Sequence, residues 1–285
     1  MENIGLVLEG GGMRGAYTAG ALLWLIEHDI VFDYGVGISS GAMHICSYYK
    51  KDKQMLDDIS CIYMSDKRNV GIIPLLKEFR YVGYDYMFDH LLKDVLHYDV
   101  SKIRNCKDFK VEFGVFDCES GETIFYDQTS LDDDLRFLKA ACTLPIAGRI
   151  VNFNGHKYLD GGIKVMIPIE RSIAQGNKKH FVITTKPEGY IRKAAGKPML
   201  EFMRLNYLKY PQVYQNYKVR AENYNKQMDI IYDLVAKNEA FLIRPSQTIP
   251  VKRFSGDPEN LKKLYELGYA DMEAKKAEIM AFLGR

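Results

Sequence analysis

Twice near its start the chain runs from a short apolar, β-like segment through a glycine turn into an apolar, helix-like one. Ile4–Leu8 leads through Glu9-Gly-Gly-Gly-Met-Arg-Gly15 into residues 16–27 (AYTAGALLWLIE), which are apolar almost all round. Tyr34–Ile38 then leads through Ser39-Ser40-Gly41 into residues 42–51. Strand-like runs alternating with helical runs build a sheet covered by helices, so the pattern sets an α/β class before any residue is assigned a role. At 285 residues, 47% hydrophobic and 27% charged, the chain is long and apolar enough to bury the core such a sheet needs.

The rest of the chain extends the pattern. Residues 52–100 read as mostly helical, with 72–96 amphipathic. Residues 109–116 and 123–126 read as a hairpin, followed by a helix over 131–141 with Asp132, Asp133 and Asp134 in its first turn, where the helix dipole favours negative charge. Asn154-Gly155 joins 150–153 to 156–159 in a second hairpin, and 181–185 and 240–243 read as buried strands. Residues 191–237 are rich in Tyr and Lys and read as helical, and Asp257-Pro258 opens a tail helix that runs to about Leu283.

Several functional classes fall away on composition. A net charge of +2 and a pI near 8.1 are too balanced for a dedicated nucleic-acid binder, so no nucleic-acid partner is expected. Five scattered cysteines, odd in number and without a C-x-x-C, fit reduced thiols in a cytoplasmic protein better than a disulfide framework or a zinc site. The opening MENIGLVLEGGG lacks a basic region and its apolar run stops at Glu9, so no signal peptide is expected. No stretch of about eighteen uncharged apolar residues occurs, and membrane contact is expected to be peripheral.

Gly10, Gly12 and Gly15 fit G-x-G-x-x-G, whose amides could cradle a dinucleotide pyrophosphate or, equally, the oxyanion of an acyl transfer. Residues 37–41, Gly-Ile-Ser-Ser-Gly, match G-x-S-x-G between a strand-like and a helix-like run, the setting of a nucleophile elbow; an ordinary turn capping the helix is the plain alternative. A serine needs a base, yet none of the six histidines sits in a recognisable signature: His44 lies on the helix after the elbow, which carries it away, and His180 precedes a strand. Asp160, at a strand end before Gly161-Gly162, can be held close to another turn, although Asp-Gly is also a common turn dipeptide.

Together these stretches resemble the patatin-like phospholipases. Gly10-Gly11-Gly12-Met13-Arg14-Gly15 is similar to that family's G-G-G-x-R-G motif, Gly37 to Gly41 to its G-x-S-x-G elbow, and Asp160-Gly161-Gly162 to its D-G-A/G motif, in the same order and at similar separations. Ala141-Cys-Thr-Leu-Pro145 resembles its Ala-Ser-x-x-x-Pro region with Cys142 in the serine's place. The resemblance implies a three-layer α/β/α fold with a mainly parallel central sheet, an acyl hydrolase domain over residues 4–190, and a mostly helical C-terminal extension over 191–285 packed on it. It also implies a dyad, with Ser39 as nucleophile and Asp160 as proton acceptor, and with the amides of Gly10, Gly11, Gly12 and Met13 holding the oxyanion. Gly15, Gly37, Gly41, Gly161 and Gly162 shape the turns, and Arg14 orients the loop, attracts an anionic head group or serves in a structural salt bridge. No metal or organic cofactor is implied.

The implied substrates are phospholipids, lysophospholipids or neutral acyl esters. Residues 72–79 and 84–92 have the composition of a channel wall or cap, and equally of core helices. Residues 186–209 carry six Lys/Arg against two Asp/Glu, interleaved with Met199, Leu200, Phe202 and Met203, as suits either an anionic membrane surface at the inner face or a solvated helix face. Three rivals stand beside the hydrolase. A nucleotide-binding oxidoreductase would use Asp33 as ribose ligand, but Asp33 precedes the second strand where that acid should follow it. The others are a catalytically silent lipid-binding relative and a serine peptidase.

Overall fold

The computed structural model describes residues 3–285; Met1 and Glu2, which begin the segment read as lacking a leader, lie outside them. Eight strands form one sheet: β1 Ile4–Leu8, β2 Tyr34–Ile38, β3 Lys110–Asp117, β4 Thr123–Asp127, β5 Val151–Phe153, β6 His156–Asp160, β7 Lys179–Ile183 and β8 Ala240–Ile243. They lie in the order β5-β6-β3-β2-β1-β7-β8, with β4 also paired to β3. The four pairings β1–β2, β1–β7, β2–β3 and β7–β8 are parallel, while β3–β4, β3–β6 and β5–β6 are antiparallel.

The helices are α1 Gly15–Glu27, α2 Ser40–Tyr49, α3 Lys53–Asp57, α4 Ile72–Lys77, α5 Ser101–Arg104, α6 Arg136–Cys142, α7 Ile169–Ala174, α8 Lys197–Asn206, α9 Pro211–Ala236, α10 Pro258–Ala274 and α11 Lys276–Leu283. Side chains alternate across a strand, so β1 sends Leu6 and Leu8 into a core with α1, α2 and α10, and Val7 into a second core with α7 and α9. Helices on both faces explain why β1 and β2 are buried along their whole length, and why they read as unbroken apolar runs. The fold is the expected mixed α/β class with a helical C-terminal region. Among the described residues no helix is long and apolar enough to cross a membrane.

Residues 191–285 are tied into this frame by α9 in the second core and at two further places. β8 extends the sheet beside β7, and α10 crosses α1 with Gly20 and Gly268 at the contact. A Cβ on Gly20 would stand 1.9 Å from the Tyr265 carbonyl oxygen, and one on Gly268 2.1 Å from that of Tyr17. Around this crossing Tyr17 Oη donates to Asp271 Oδ2 at 2.9 Å and Trp24 Nε1 to Glu273 Oε2 at 2.6 Å. Backbone cannot yield as a flexible side chain can, so Gly268→Ala must push the helices apart. We expect a loss of about 3 kcal/mol or more, and a fall in Tm of roughly 6–12 °C by calorimetry.

Three local expectations are corrected. The helix read over 131–141 starts at Arg136, after Leu135 with φ 54°; Asp132 caps it from outside, accepting from Arg136 N at 3.0 Å and Phe137 N at 2.8 Å. Acidic residues before an apolar run signal a helix start in either geometry, which is why the boundary moved. The amphipathic stretch over 72–96 is broken after Lys77, because Glu78 turns its carboxylate onto the amides of Asp85 and Tyr86 and so caps a second, π-helical segment, Tyr86–Val95. The tail helix breaks at Lys275 into α10 and α11.

Candidate active site

β2 ends at Ile38 and α2 begins at Ser40, so Ser39 must reverse the chain in one residue; it does so at φ 56°, ψ −125°. That region is costly for a side chain, by roughly 1–3 kcal/mol, and recurs where function holds the strain in place. Glycine is required on either side of it. A Cβ on Gly37 would lie 2.7 Å from the Gly41 carbonyl, and one on Gly41 2.9 Å from the Glu9 carbonyl oxygen. Below the turn the Cys142 thiol donates to the Ser39 carbonyl at 3.3 Å, and burial pushes that thiol well above its ordinary pKa, so it stays protonated as a donor.

Asp160 ends β6, opposite Val115 of β3, with its amide donating to the Thr143 carbonyl at 2.8 Å. Its side chain is fully buried: Oδ1 accepts from Gly162 N at 2.7 Å, and Oδ2 has no hydrogen-bond partner among the described residues. Burial pushes the carboxyl above the usual carboxylate range, while the Ser39 hydroxyl, the Gly162 amide and the Arg220 and Arg253 guanidinium groups act the other way. Ser39, Asp160, Gly10, Gly12, Gly162, Arg220 and Arg253 line one small cavity. Three chain-distant turns therefore converge, and a hydroxyl and a carboxylate with a spare lone pair face the same space.

No histidine lines either of the cavities that Ser39 borders. His44 is buried among apolar groups with neither ring nitrogen bonded among the described residues, and burial lowers its pKa to about 4. His180 is engaged with Ser172 Oγ at 2.9 Å. Nor is there, among the described residues, a group of three or more His, Cys, Asp or Glu side chains that could hold a metal ion.

The glycine loop runs into a tight turn, Gly12–Arg14, ahead of α1. Its four amides have different uses. Gly10 N–H donates to the Met166 carbonyl at 3.1 Å, Gly11 N–H to Ser40 Oγ at 2.8 Å and Met13 N–H to the Arg253 carbonyl at 3.1 Å, while Gly12 N–H donates to no other group among the described residues. Glu9, beside the loop, is buried and accepts from the amide and hydroxyl of Thr185. Among the described residues Arg14 makes no ion pair and its Nε is buried without a hydrogen-bond partner, and burial together with Arg253 brings its pKa down to about 10. Gly15 lets α1 approach α2, since a Cβ there would meet Ser40 Cβ at 2.7 Å.

Three residues around the site escape a reading of the chain alone. Ser40 looks like a helix cap, and its hydroxyl instead holds Gly11. Arg220, whose Nε donates to the Gly162 carbonyl, lies among the buried positions Val213, Tyr224, Gln227 and Ile231 of α9; a cation on a buried helical stripe was the available signal. Arg253, in the irregular segment before α10, carried none. Lys186, Arg192 and Arg220 all lie within electrostatic reach of Arg253, and burial with Arg14, Arg192 and Arg253 nearby lowers the Lys186 pKa to about 8.

A family model described as patatin-like phospholipase matches residues 6–173, and one described as a domain of unknown function (DUF6363) matches residues 210–284. Among curated proteins, a probable lipid hydrolase, 463L, of Invertebrate iridescent virus 6 is 28% identical over 199 residues, 61% of this chain and 65% of that protein. An uncharacterised protein, YjjU, of Escherichia coli K12 is 26% identical over 188 residues, 65% of this chain and 52% of that protein. The chain thus spans less than two thirds of the length of either relative. Among solved structures, VipD from Legionella pneumophila aligns over 96% of this chain and 66% of its own, with 13% identity and a TM-score of 0.48.

Proposed function

The chain belongs to the patatin-like phospholipase family, and from that premise we propose that it is a serine hydrolase of lipid acyl esters, working through Ser39 and Asp160. One observation carries the reading: Ser39, on a strained turn, and the unpartnered carboxylate oxygen of Asp160 border a single cavity. Ser39 Oγ attacks the acyl carbonyl carbon as Asp160 accepts the hydroxyl proton. That proton passes to the departing alcohol and leaves an acyl-serine; water, deprotonated by Asp160, then releases the fatty acid and restores Ser39. The raised pKa of Asp160 makes it a stronger base than an exposed aspartate. Gly10 and Gly11 are committed to Met166 and Ser40, so the donors to the oxyanion narrow to Gly12, whose amide is unbonded among the described residues, and to Met13, whose amide becomes available only when the Arg253 carbonyl leaves it.

α4 exposes Ile72 and Leu76, Phe79 follows it, and α8 exposes Met199, Phe202 and Leu205 beside Lys197 and the Arg204–Glu201 pair. Apolar side chains set among cations suit peripheral contact with an anionic bilayer, and five unpaired cysteines suit the cytoplasmic side of it. The test is direct. Purified protein should hydrolyse p-nitrophenyl acyl esters and phospholipids but not a peptide panel, and a fluorophosphonate should modify Ser39; a protein inert to all of these would overturn the assignment.

A further inference from the structure

Part of the glycine loop is already occupied by the chain itself. Met13 N–H donates to the Arg253 carbonyl at 3.1 Å, and Gly12, at φ 59°, lies so close that a Cβ there would be 2.6 Å from the same oxygen. The Arg253 carbonyl therefore occupies the Met13 amide and packs against Gly12, at the two positions left to receive a substrate's acyl oxygen. The next residue closes the other half of the site. Phe254 meets Tyr81 edge-on at 5.9 Å and, with Met13, Met43, Met64, Val82 and Leu144, helps to line the apolar cavity beside Ser39. That cavity holds about 60 Å³, room for only a few water molecules.

The segment that does this has no regular structure and is held by side-chain packing, with Val251 buried in the main core and Ile249 and Phe254 against it. Residues 247–252 contain no helix or strand, and 253–256 add only bends before α10. Its own bonds are local, Val251 N–H to the Ile249 carbonyl and Lys252 N–H to the Ser255 carbonyl. The Arg253 guanidinium has no ion pair or hydrogen bond among the described residues and sits near Arg14, Lys186, Arg192 and Arg220, where like charges repel. Flanking it, Tyr81 and Met199 are exposed and border a second apolar hollow together with Arg253 and Phe254. A lipid surface would bury these side chains and offer Arg253 a counter-charge beyond that of the buried Asp160 carboxyl within its reach.

We propose that residues 249–256 form an autoinhibitory strap whose Arg253 carbonyl takes the place of the substrate's acyl oxygen at Gly12 and Met13, and that the strap lifts at a lipid surface. The idea rests on the hydrolase reading of Ser39 for its kinetic readout, so a second, non-catalytic readout accompanies it.

The experiment follows modification of Ser39 by a small soluble fluorophosphonate and hydrogen–deuterium exchange of the peptide bearing Met13. Wild type, Phe254→Ser and Tyr81→Ala are compared, each with and without phosphatidylcholine vesicles containing phosphatidylglycerol. Tyr81→Ala loosens the Phe254 anchor without altering the strap, which keeps the test alive should Phe254→Ser fold poorly. Vesicles should speed modification of wild type by about fivefold or more, and the loosened variants should reach that rate in buffer alone. The Met13 amide should exchange faster in the same states. The proposal is overturned if both folded variants are modified at the wild-type rate, or if Met13 exchange is unchanged by variant and vesicle alike. Should Ser39 resist modification under every condition, the hydrolase reading fails, and Met13 exchange still decides whether the strap opens.

Discussion

Ser39→Ala should lower acyl-ester turnover by ~10⁴-fold or more while leaving the fold intact, because no other hydroxyl can take the position of an attacking group that forms the acyl intermediate. The expectation comes from geometry as much as chemistry. A serine held at φ 56° presents its oxygen at the tip of a turn that few residues adopt. A companion variant separates strain from catalysis: Ser39→Gly should be equally inactive yet melt higher than wild type, since glycine adopts this backbone without penalty. Turnover of a p-nitrophenyl ester and thermal melts of the three proteins, side by side, make the measurement. Substantial activity in either variant would remove Ser39 from the reaction.

Asp160→Asn should cost a comparable factor, ~10⁴-fold in kcat, because the amide preserves shape and removes the base. Its pH dependence carries a second expectation. In the proposed mechanism the carboxylate is the working form, and burial raises the pKa of Asp160. Activity should therefore fall with decreasing pH along an acid limb above the ordinary aspartate value of about 4. The sign for stability is opposite. A group whose folded pKa is raised binds its proton more tightly in the folded protein, so at neutral pH the buried charge weakens the fold. Asp160→Asn should melt at least as high as wild type, and a marked drop in Tm would mean that the carboxylate is structural. An acid limb at the ordinary aspartate position would argue that another group accepts the proton.

β1 and β2 were legible because burial on both faces leaves an unbroken apolar run, and the half-buried edge strand β8 also falls where the pattern put it. Helix boundaries were not, because acidic residues signal a nearby start without fixing its first turn, as at Asp132 and Glu78. Ser39, Asp160, Gly10, Gly12 and Gly162 could be named from the chain because each sits in a turn with its own local signature, and all five line one cavity. Ser40, Arg220 and Arg253 have no local signature pointing to the site, since each acts on a backbone group far away in sequence.

By itself the amino-acid order determined the strand and turn chemistry: where backbone is buried, where a side chain would collide, and which turn carries a hydroxyl or a carboxylate. Those properties are set by a residue and its near neighbours. Only the tertiary structure decided that Gly10 and Gly11 spend their amides on Met166 and Ser40, that Asp160 keeps one oxygen free in a small cavity, and that Arg253 lies over the loop. Hydrogen bonds and burial are saturable and are shared among groups brought together from the whole chain, so which amide remains available is a property of the packed molecule.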